Sequence, residues 1–245
     1  MHKKISLNEA AVILDINPQT LRRWDDGGAL KARRDTLRAH RYYLEDDLEN
    51  FLSSNYKYLL NTAVRWAFSE RPIYIPYRFY CDNSNLFKVR LAQFGVLLQR
   101  EEGFSETFSL VTSALGEIGN NSFDHNIGNW PDIPGIFFGY SLSERKAIVV
   151  DRGQGVLATL KRVRPSLLDD KDAIEVAFTE FITGRSSEHR GNGLKYVRDI
   201  VQDNHMNLWF HSGLGAIDIK GDSEEDLTPI DITKKMRGCF IIIEY

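Results

Sequence analysis

The segment 114–126, which reads Ala-Leu-Gly-Glu-Ile-Gly-Asn-Asn-Ser-Phe-Asp-His-Asn, constrains the fold of this chain more than any other stretch. Glu117, Asn121 and His125 recur at every fourth position, so on an α-helix they form one polar row. The neighbouring apolar residues fall largely on other faces and would hold the helix against a core. A carboxylate, a carboxamide and an imidazole in one row suit a site for Mg²⁺ and phosphate. The row alone leaves open the alternative of an ordinary exposed helix face.

A short apolar, β-branched run over 147–150 ends in Asp151-x-Gly153-x-Gly155. A carboxylate at a strand end is a specific partner for the amino group of adenine, although a turn aspartate is the alternative. The two glycines would let the backbone pass close to the base and the sugar. Arg152 and Gln154 are predicted to be exposed.

A second Gly-x-Gly follows a polar loop over 183–190 and leads into a predicted helix over 194–203. Backbone N–H groups at the start of that helix would bind phosphate oxygens. The loop is predicted to close over the phosphates as a lid, and a solvated loop is the alternative. The nucleotide-binding residues predicted here are Arg185, Ser186, His189, Arg190, Gly191, Asn192, Gly193 and Leu194.

These three motifs, in this order, resemble the GHKL, or Bergerat, ATP-binding fold of sensor histidine kinases, gyrase-type ATPases and anti-sigma serine kinases. The resemblance covers about residues 100–245 and implies an α/β sandwich whose mixed sheet carries helices on one face. It implies that Asn121 coordinates Mg²⁺, that His125 and Asp151 bind the nucleotide, and that Glu117 is the general base in members that hydrolyse ATP. Slow ATP hydrolysis is therefore chemically permitted, but a carboxylate alone does not establish it.

The first thirty residues predict two short helices joined by a tight turn. Ser6 and Glu9 form a capping box for the first helix, and Asn17-Pro18 caps and begins the second, predicted over 18–26. Leu21 and Trp24 are expected to pack inward. A second helix with basic and amide side chains on its outer face indicates a helix-turn-helix DNA reader.

The segment 31–43 is strongly basic, with five Lys and Arg residues against one Asp, a formal charge of +4. A β wing whose arginines meet DNA phosphates would account for it, and a solvated basic loop is the alternative. The predicted DNA-binding residues of the helix and wing are Gln19, Thr20, Arg22, Arg23, Arg38, Arg41 and Tyr43.

The pattern Leu21-Arg22-Arg23-Trp24-Asp25-x-Gly27-x-x-Leu30, followed by Arg41-x-Tyr43-x-x-x-Asp47-Leu48, resembles the winged helix-turn-helix of MerR and excisionase-type DNA binders. The resemblance implies that the second helix enters the major groove. The predicted fold class is α+β, with a MerR-like winged domain over 1–52 and a GHKL ATP-binding domain over 101–245. Between them, 53–100 is predicted to supply connecting helices, near 51–68 and 85–100, and an edge strand near 73–80, all packed on the ATP-binding domain.

Composition sets the remaining expectations. A net charge of −3, two distant cysteines and no apolar run near the roughly 20 residues of a membrane span predict a cytoplasmic protein without a membrane partner. The predicted function is an ATP-responsive transcriptional regulator that binds double-stranded DNA as a homodimer, with ATP or ADP and Mg²⁺ as ligands. The alternative is an anti-sigma-like serine kinase whose N-terminal module binds a protein partner. No histidine stands in a phosphoacceptor context, which argues against a self-phosphorylating histidine kinase, and a topoisomerase-like machine ranks last.

Overall fold

The computed structural model describes residues 3–36, 38–180, 193–221 and 227–245, and the chain is a mixture of helices and sheet. The helices are α1 (Leu7–Leu14), α2 (Pro18–Gly27), α3 (Glu45–Ser54), α4 (Tyr56–Phe68), α5 (Ser84–Leu98), α6 (Phe108–Asn126), α7 (Val156–Leu160), α8 (Asp170–Thr179) and α9 (Gly193–Asp203). The strands are β1 (Lys4–Ser6), β2 (Tyr42–Leu44), β3 (Tyr80–Cys81), β4 (Ile136–Ser141), β5 (Lys146–Asp151), β6 (Asn207–Lys220) and β7 (Ile230–Glu244).

The central sheet has five strands in the order β3-β4-β5-β7-β6. Every strand pair among the described residues is antiparallel, so the prediction of a mixed sheet is wrong. In the chain, α5 and α6 lie between β3 and β4, and α7, α8, α9 and β6 lie between β5 and β7, so helices connect strands that pair antiparallel. β6 is one long strand whose register with β7 shifts around Gly213.

One face of the sheet is covered by α5, α6, α8 and α9, which share an apolar core with the strands. Side chains alternate between the two faces along a strand. On β5, Val149 belongs to this first core, whereas Ile148 and Val150 belong to a second core on the opposite face.

The second face of the sheet is covered by α4, so the prediction that helices cover one face only is wrong. Leu59, Ala63 and Trp66 of α4 are buried in a core that also contains Phe137 of β4 and Leu14 of α1. We call this second cluster the shared core, because it joins apolar side chains of the N-terminal helices to those of the sheet.

The N-terminal helices form as predicted. The Ser6–Glu9 capping box is present, Asn17 caps α2 from its side chain, and α2 ends at Gly28 with a positive φ of 83°. Leu21 is fully buried, and Trp24 packs against two aromatic rings, Phe51 and Tyr58. β2 pairs with β1, and an isolated β-bridge joins Tyr42 of β2 to Arg33. Together these pairings form a small wing.

The middle of the chain departs from prediction in three places. The helix predicted over 51–68 is two helices that break at Asn55. The strand predicted over 73–80 is largely irregular, since it contains Pro76 and a 3-10 turn at Tyr77–Phe79, and strand pairing begins only at Tyr80. Strand β4, which was not predicted, lies between β3 and β5. No helix of the described residues is long and apolar enough to cross a membrane.

Candidate functional site

The predicted nucleotide-binding motifs meet at one cavity between α6, α9 and the ends of β5 and β7. Its volume is about 120 Å³. That is below the roughly 300–1,000 Å³ of pockets that enclose whole ligands, so a nucleotide would lie only partly inside it. We call it the Asp151 cavity. The sequence-predicted residues that line it are Asn121, His125, Asp151, Gly155, Gly193 and Leu194.

Asp151 is the central polar group of this cavity. Its carboxylate is 2% exposed and accepts hydrogen bonds from the Gly153 N–H (2.8 Å) and the Ser122 hydroxyl (2.9 Å). Burial raises the pKa of this carboxyl to about 6, although hydrogen bonds from Gly153, Ser122 and Cys239 lower it. A buried carboxylate in the wall of a mostly apolar cavity is a specific acceptor for an amino group on a planar ring.

Glycines let the backbone approach Asp151 closely. Gly238 has a φ of +74°, and a Cβ atom there would lie 2.3 Å from the Asp151 Oδ1 atom. A Cβ on Gly153 would lie 2.1 Å from the Asn126 side chain. The Asn126 Oδ1 atom in turn accepts a 2.9 Å hydrogen bond from the Gln154 N–H, which holds the glycine loop against α6.

The start of α9 lies against the polar row of α6. A Cβ on Gly193 would lie 2.9 Å from the Glu117 Oε2 atom and 3.1 Å from the Asn121 Nδ2 atom. The N-terminus of a helix attracts anions, and Glu117 and Asn121 supply oxygen atoms beside it. This donor set fits a Mg²⁺ ion held mainly by phosphate oxygens, because such ions need few protein ligands.

Within the described residues no group of three or more His, Cys, Asp or Glu side chains could hold a metal by itself. A magnesium ion bridged by phosphates does not need such a cluster. Asn121 therefore stays the predicted protein ligand for Mg²⁺.

Several predicted nucleotide-binding residues lie outside the described residues, so the structure does not test them. They are Arg185, Ser186, His189, Arg190, Gly191 and Asn192.

The prediction that Arg152 is exposed is wrong. Its side chain is fully buried and points to the sheet face opposite Asp151, because successive residues at the end of β5 alternate. Gln154 is half-buried and donates to the His125 carbonyl.

Sequence reasoning missed four residues that build the cavity. Ser122 and Asn126 hold Asp151 and the glycine loop, and the Ser212 hydroxyl accepts from the Val156 N–H and donates to the Gly238 carbonyl. One signal was available, since Ser122 and Asn126 repeat the four-residue spacing of the polar row one position later. Ser212 and Gly238 lie on strands paired far apart in sequence and carried no signal.

A second candidate surface lies on α2 and the wing. Gln19, Arg22 and Arg23 of α2 are exposed. Arg22 bonds to Gln19 at 3.0 Å and Arg23 to Thr20 at 3.3 Å, so these side chains stand together on the outer face of α2. Arg38 is exposed on the wing. This face is basic and suits phosphate contacts.

Two wing residues that were predicted to contact DNA, Tyr43 and Arg41, bond to other parts of the protein. The prediction for Tyr43 is wrong, because its ring is fully buried and its hydroxyl donates to the Leu21 carbonyl. The guanidinium of Arg41 bonds to Asp25 (2.7 Å) and Asp26 (3.0 Å), which ties the wing to α2. Its charge is largely balanced inside the module, and its contact with DNA stays a prediction.

Comparison with known proteins gives a family match for the N-terminal segment. Residues 5–56 match a family model described as a helix-turn-helix domain, which indicates DNA binding by this segment. The Type II methyltransferase M.Eco47II of Escherichia coli is 39% identical to this chain over 51 residues. That match covers 21% of the chain and 12% of the methyltransferase, so the chain spans about an eighth of that relative's length.

Proposed function

We propose that this chain is a DNA-binding regulator whose helix-turn-helix is controlled by Mg²⁺-ATP in a GHKL-type site. The observation that carries the ATP site is the meeting of Asp151, Asn121 and Gly193 at one cavity, although they come from three separate motifs. Asp151 would accept from the adenine amino group. Asn121 and Glu117 lie where the phosphates would reach the start of α9.

The helix-turn-helix match supports double-stranded DNA as the macromolecular partner, and the wing supports the MerR-like form. A homodimer that reads two half-sites is part of the proposal, because one small module gives limited specificity. The division into domains at 52 and 100 also stays a proposal. The short match to a methyltransferase is no evidence that this chain has methyltransferase activity.

Glu117 gives the site a carboxylate beside the start of α9, where it could accept a proton from an attacking water. Hydrolysis would also require this water to be held in line with the terminal phosphate. The serine-kinase alternative differs in its readout, since it transfers the phosphate to a protein instead of to water.

The first test measures ATP binding by the native chain, Asp151→Asn and Asp124→Asn. The second test measures how fast the native chain and Glu117→Ala release phosphate from ATP. Asp124 is exposed on α6, the helix that carries Glu117 and Asn121, and serves as the control. We expect Asp151→Asn to lose binding, Asp124→Asn to keep it, and Glu117→Ala to bind ATP without releasing phosphate. Undiminished ATP binding by Asp151→Asn would show that the base is held elsewhere.

A further inference from the structure

The residue after Asp151 connects the Asp151 cavity to the other face of the sheet. The Arg152 guanidinium donates to the Ala67 carbonyl (3.2 Å), the Ser69 carbonyl (2.9 Å) and the Asp132 carboxylate (2.9 Å from Nε). It also donates to the Trp66 carbonyl. These carbonyls belong to the C-terminal end of α4 and have no partners within the helix. Arg152 is therefore the cap of α4.

Helix α4 also contacts the turn of the helix-turn-helix. The Thr62 hydroxyl donates to the Ile13 carbonyl at 2.9 Å, and Arg65 donates to the Val12 carbonyl. Arg65 also forms an ion pair with Asp15, 3.4 Å from Nε to Oδ1. Asp15 is the left-handed cap of α1, and α2 begins three residues later. Helix α4 therefore contacts the point that fixes the angle between α1 and α2.

We infer that Arg152 and α4 transmit nucleotide occupancy of the Asp151 cavity to the DNA-binding helix α2. This inference rests on the proposed function, because it needs a ligand at Asp151. Such a ligand would displace or tighten the hydrogen bonds of the Asp151–Gly153 backbone. Arg152 lies between these two residues, and its buried, fully bonded guanidinium cannot shift without moving the end of α4.

The inference requires a coupling that is measurable in both directions, since linkage is reciprocal. The quantity to measure is the ratio of the DNA dissociation constants without and with Mg²⁺-ATP. The DNA is a duplex that the native 245-residue chain enriches from a pool of randomised sequences. Coupling between sites in proteins changes affinity roughly 5- to 150-fold.

The variant Arg65→Met removes the contacts of Arg65 with the Val12 carbonyl and Asp15, while it keeps the apolar stem of the side chain. The matched control is Arg78→Met. Arg78 also joins the middle segment to the N-terminal helices, through Glu49 and Asn50 of α3, but has no bond to α4 or α1 in the described contacts. Arg152→Gln tests the contact between the Asp151 cavity and α4. If this variant does not fold, the result for Arg65→Met is the test.

We expect Arg65→Met to reduce the ratio to less than about twofold, with ATP affinity unchanged, and Arg78→Met to keep the native ratio. A native chain that binds ATP and DNA with a ratio of one overturns the inference, as does a ratio that survives Arg65→Met or falls equally in Arg78→Met. A native chain that binds no ATP overturns the proposed function as well, so the two failures are distinguishable.

Discussion

The hydroxyl of Ser122 on α6 donates a 2.9 Å hydrogen bond to the carboxylate of Asp151 at the end of β5. This bond joins the helix that carries Glu117 and Asn121 to the strand that carries the proposed base-binding acid. A substitution at either end should therefore affect both halves of the proposed nucleotide site.

The first prediction concerns pH. The pKa of Asp151 is raised from 3.8 to about 6, so the folded state holds this proton more tightly than the unfolded state. The stability that this proton contributes is complete below about pH 4 and is lost as the pH rises through 6. The difference between the ordinary pKa of 3.8 and a pKa of about 6 corresponds to roughly 3 kcal/mol of folding stability.

The Asp151→Asn side chain does not titrate. From about pH 4 to pH 8 the free energy of unfolding of the native chain should therefore fall by roughly 3 kcal/mol relative to that of Asp151→Asn. Urea unfolding across this range measures the difference. Parallel curves for native chain and Asp151→Asn would contradict the raised pKa.

The second prediction compares two glycines with similar backbone angles. Gly238 and Gly128 have φ values of +74° and +72°. Only a Cβ at Gly238 meets other atoms, and the nearest is the Asp151 Oδ1 atom. Gly128→Ala should cost about 1–2 kcal/mol from the left-handed backbone alone and keep ATP binding. Gly238→Ala should cost more and lose ATP binding, as measured by denaturant unfolding and calorimetry.

How much could be predicted from the sequence varies along the site. The capping signals of Ser6 and Asn17 and the four-residue spacing of Glu117, Asn121 and His125 depend on local geometry, so they predicted helices correctly. Ser212 and Gly238 reach the cavity through the pairing of β6 with β7, and pairing between distant segments leaves no local signal. Tyr43 was misplaced because a tyrosine on a wing can face either DNA or the core, and its burial depends on packing against α2.

The third prediction separates DNA contact from stability in the N-terminal module. Arg23 is exposed on α2, so Arg23→Ala should leave the unfolding temperature unchanged and reduce the salt slope of DNA binding by about 1. Arg41 is bonded to Asp25, so Arg41→Ala should destabilise the module by about 1.5–3 kcal/mol. Thermal unfolding and salt titrations of DNA affinity check both. An Arg41→Ala chain with native stability would show that the bonds to Asp25 and Asp26 do not hold the wing in place.

The fourth prediction tests the metal. Chelation of Mg²⁺ should weaken ATP binding by the native chain by at least about tenfold, or about 1.4 kcal/mol. Asn121→Ala should bind ATP equally with and without Mg²⁺, because it lacks the amide oxygen beside Gly193. Asn120→Ala, one position around the helix, should keep the native response. Calorimetry with and without a chelator gives the answer, and a native chain indifferent to Mg²⁺ would remove the metal from the site.

The shared core determines how this protein can be divided for experiments. Leu14 and Tyr43 of the N-terminal module and Phe137 and Ile148 of the sheet lie in one apolar cluster around α4. A fragment cut after residue 52 would expose the side that normally meets Leu59 and Trp66, and would aggregate or unfold. Reporter fusions and footprinting should therefore use the intact polypeptide, in which we expect the N-terminal module and the sheet to unfold together.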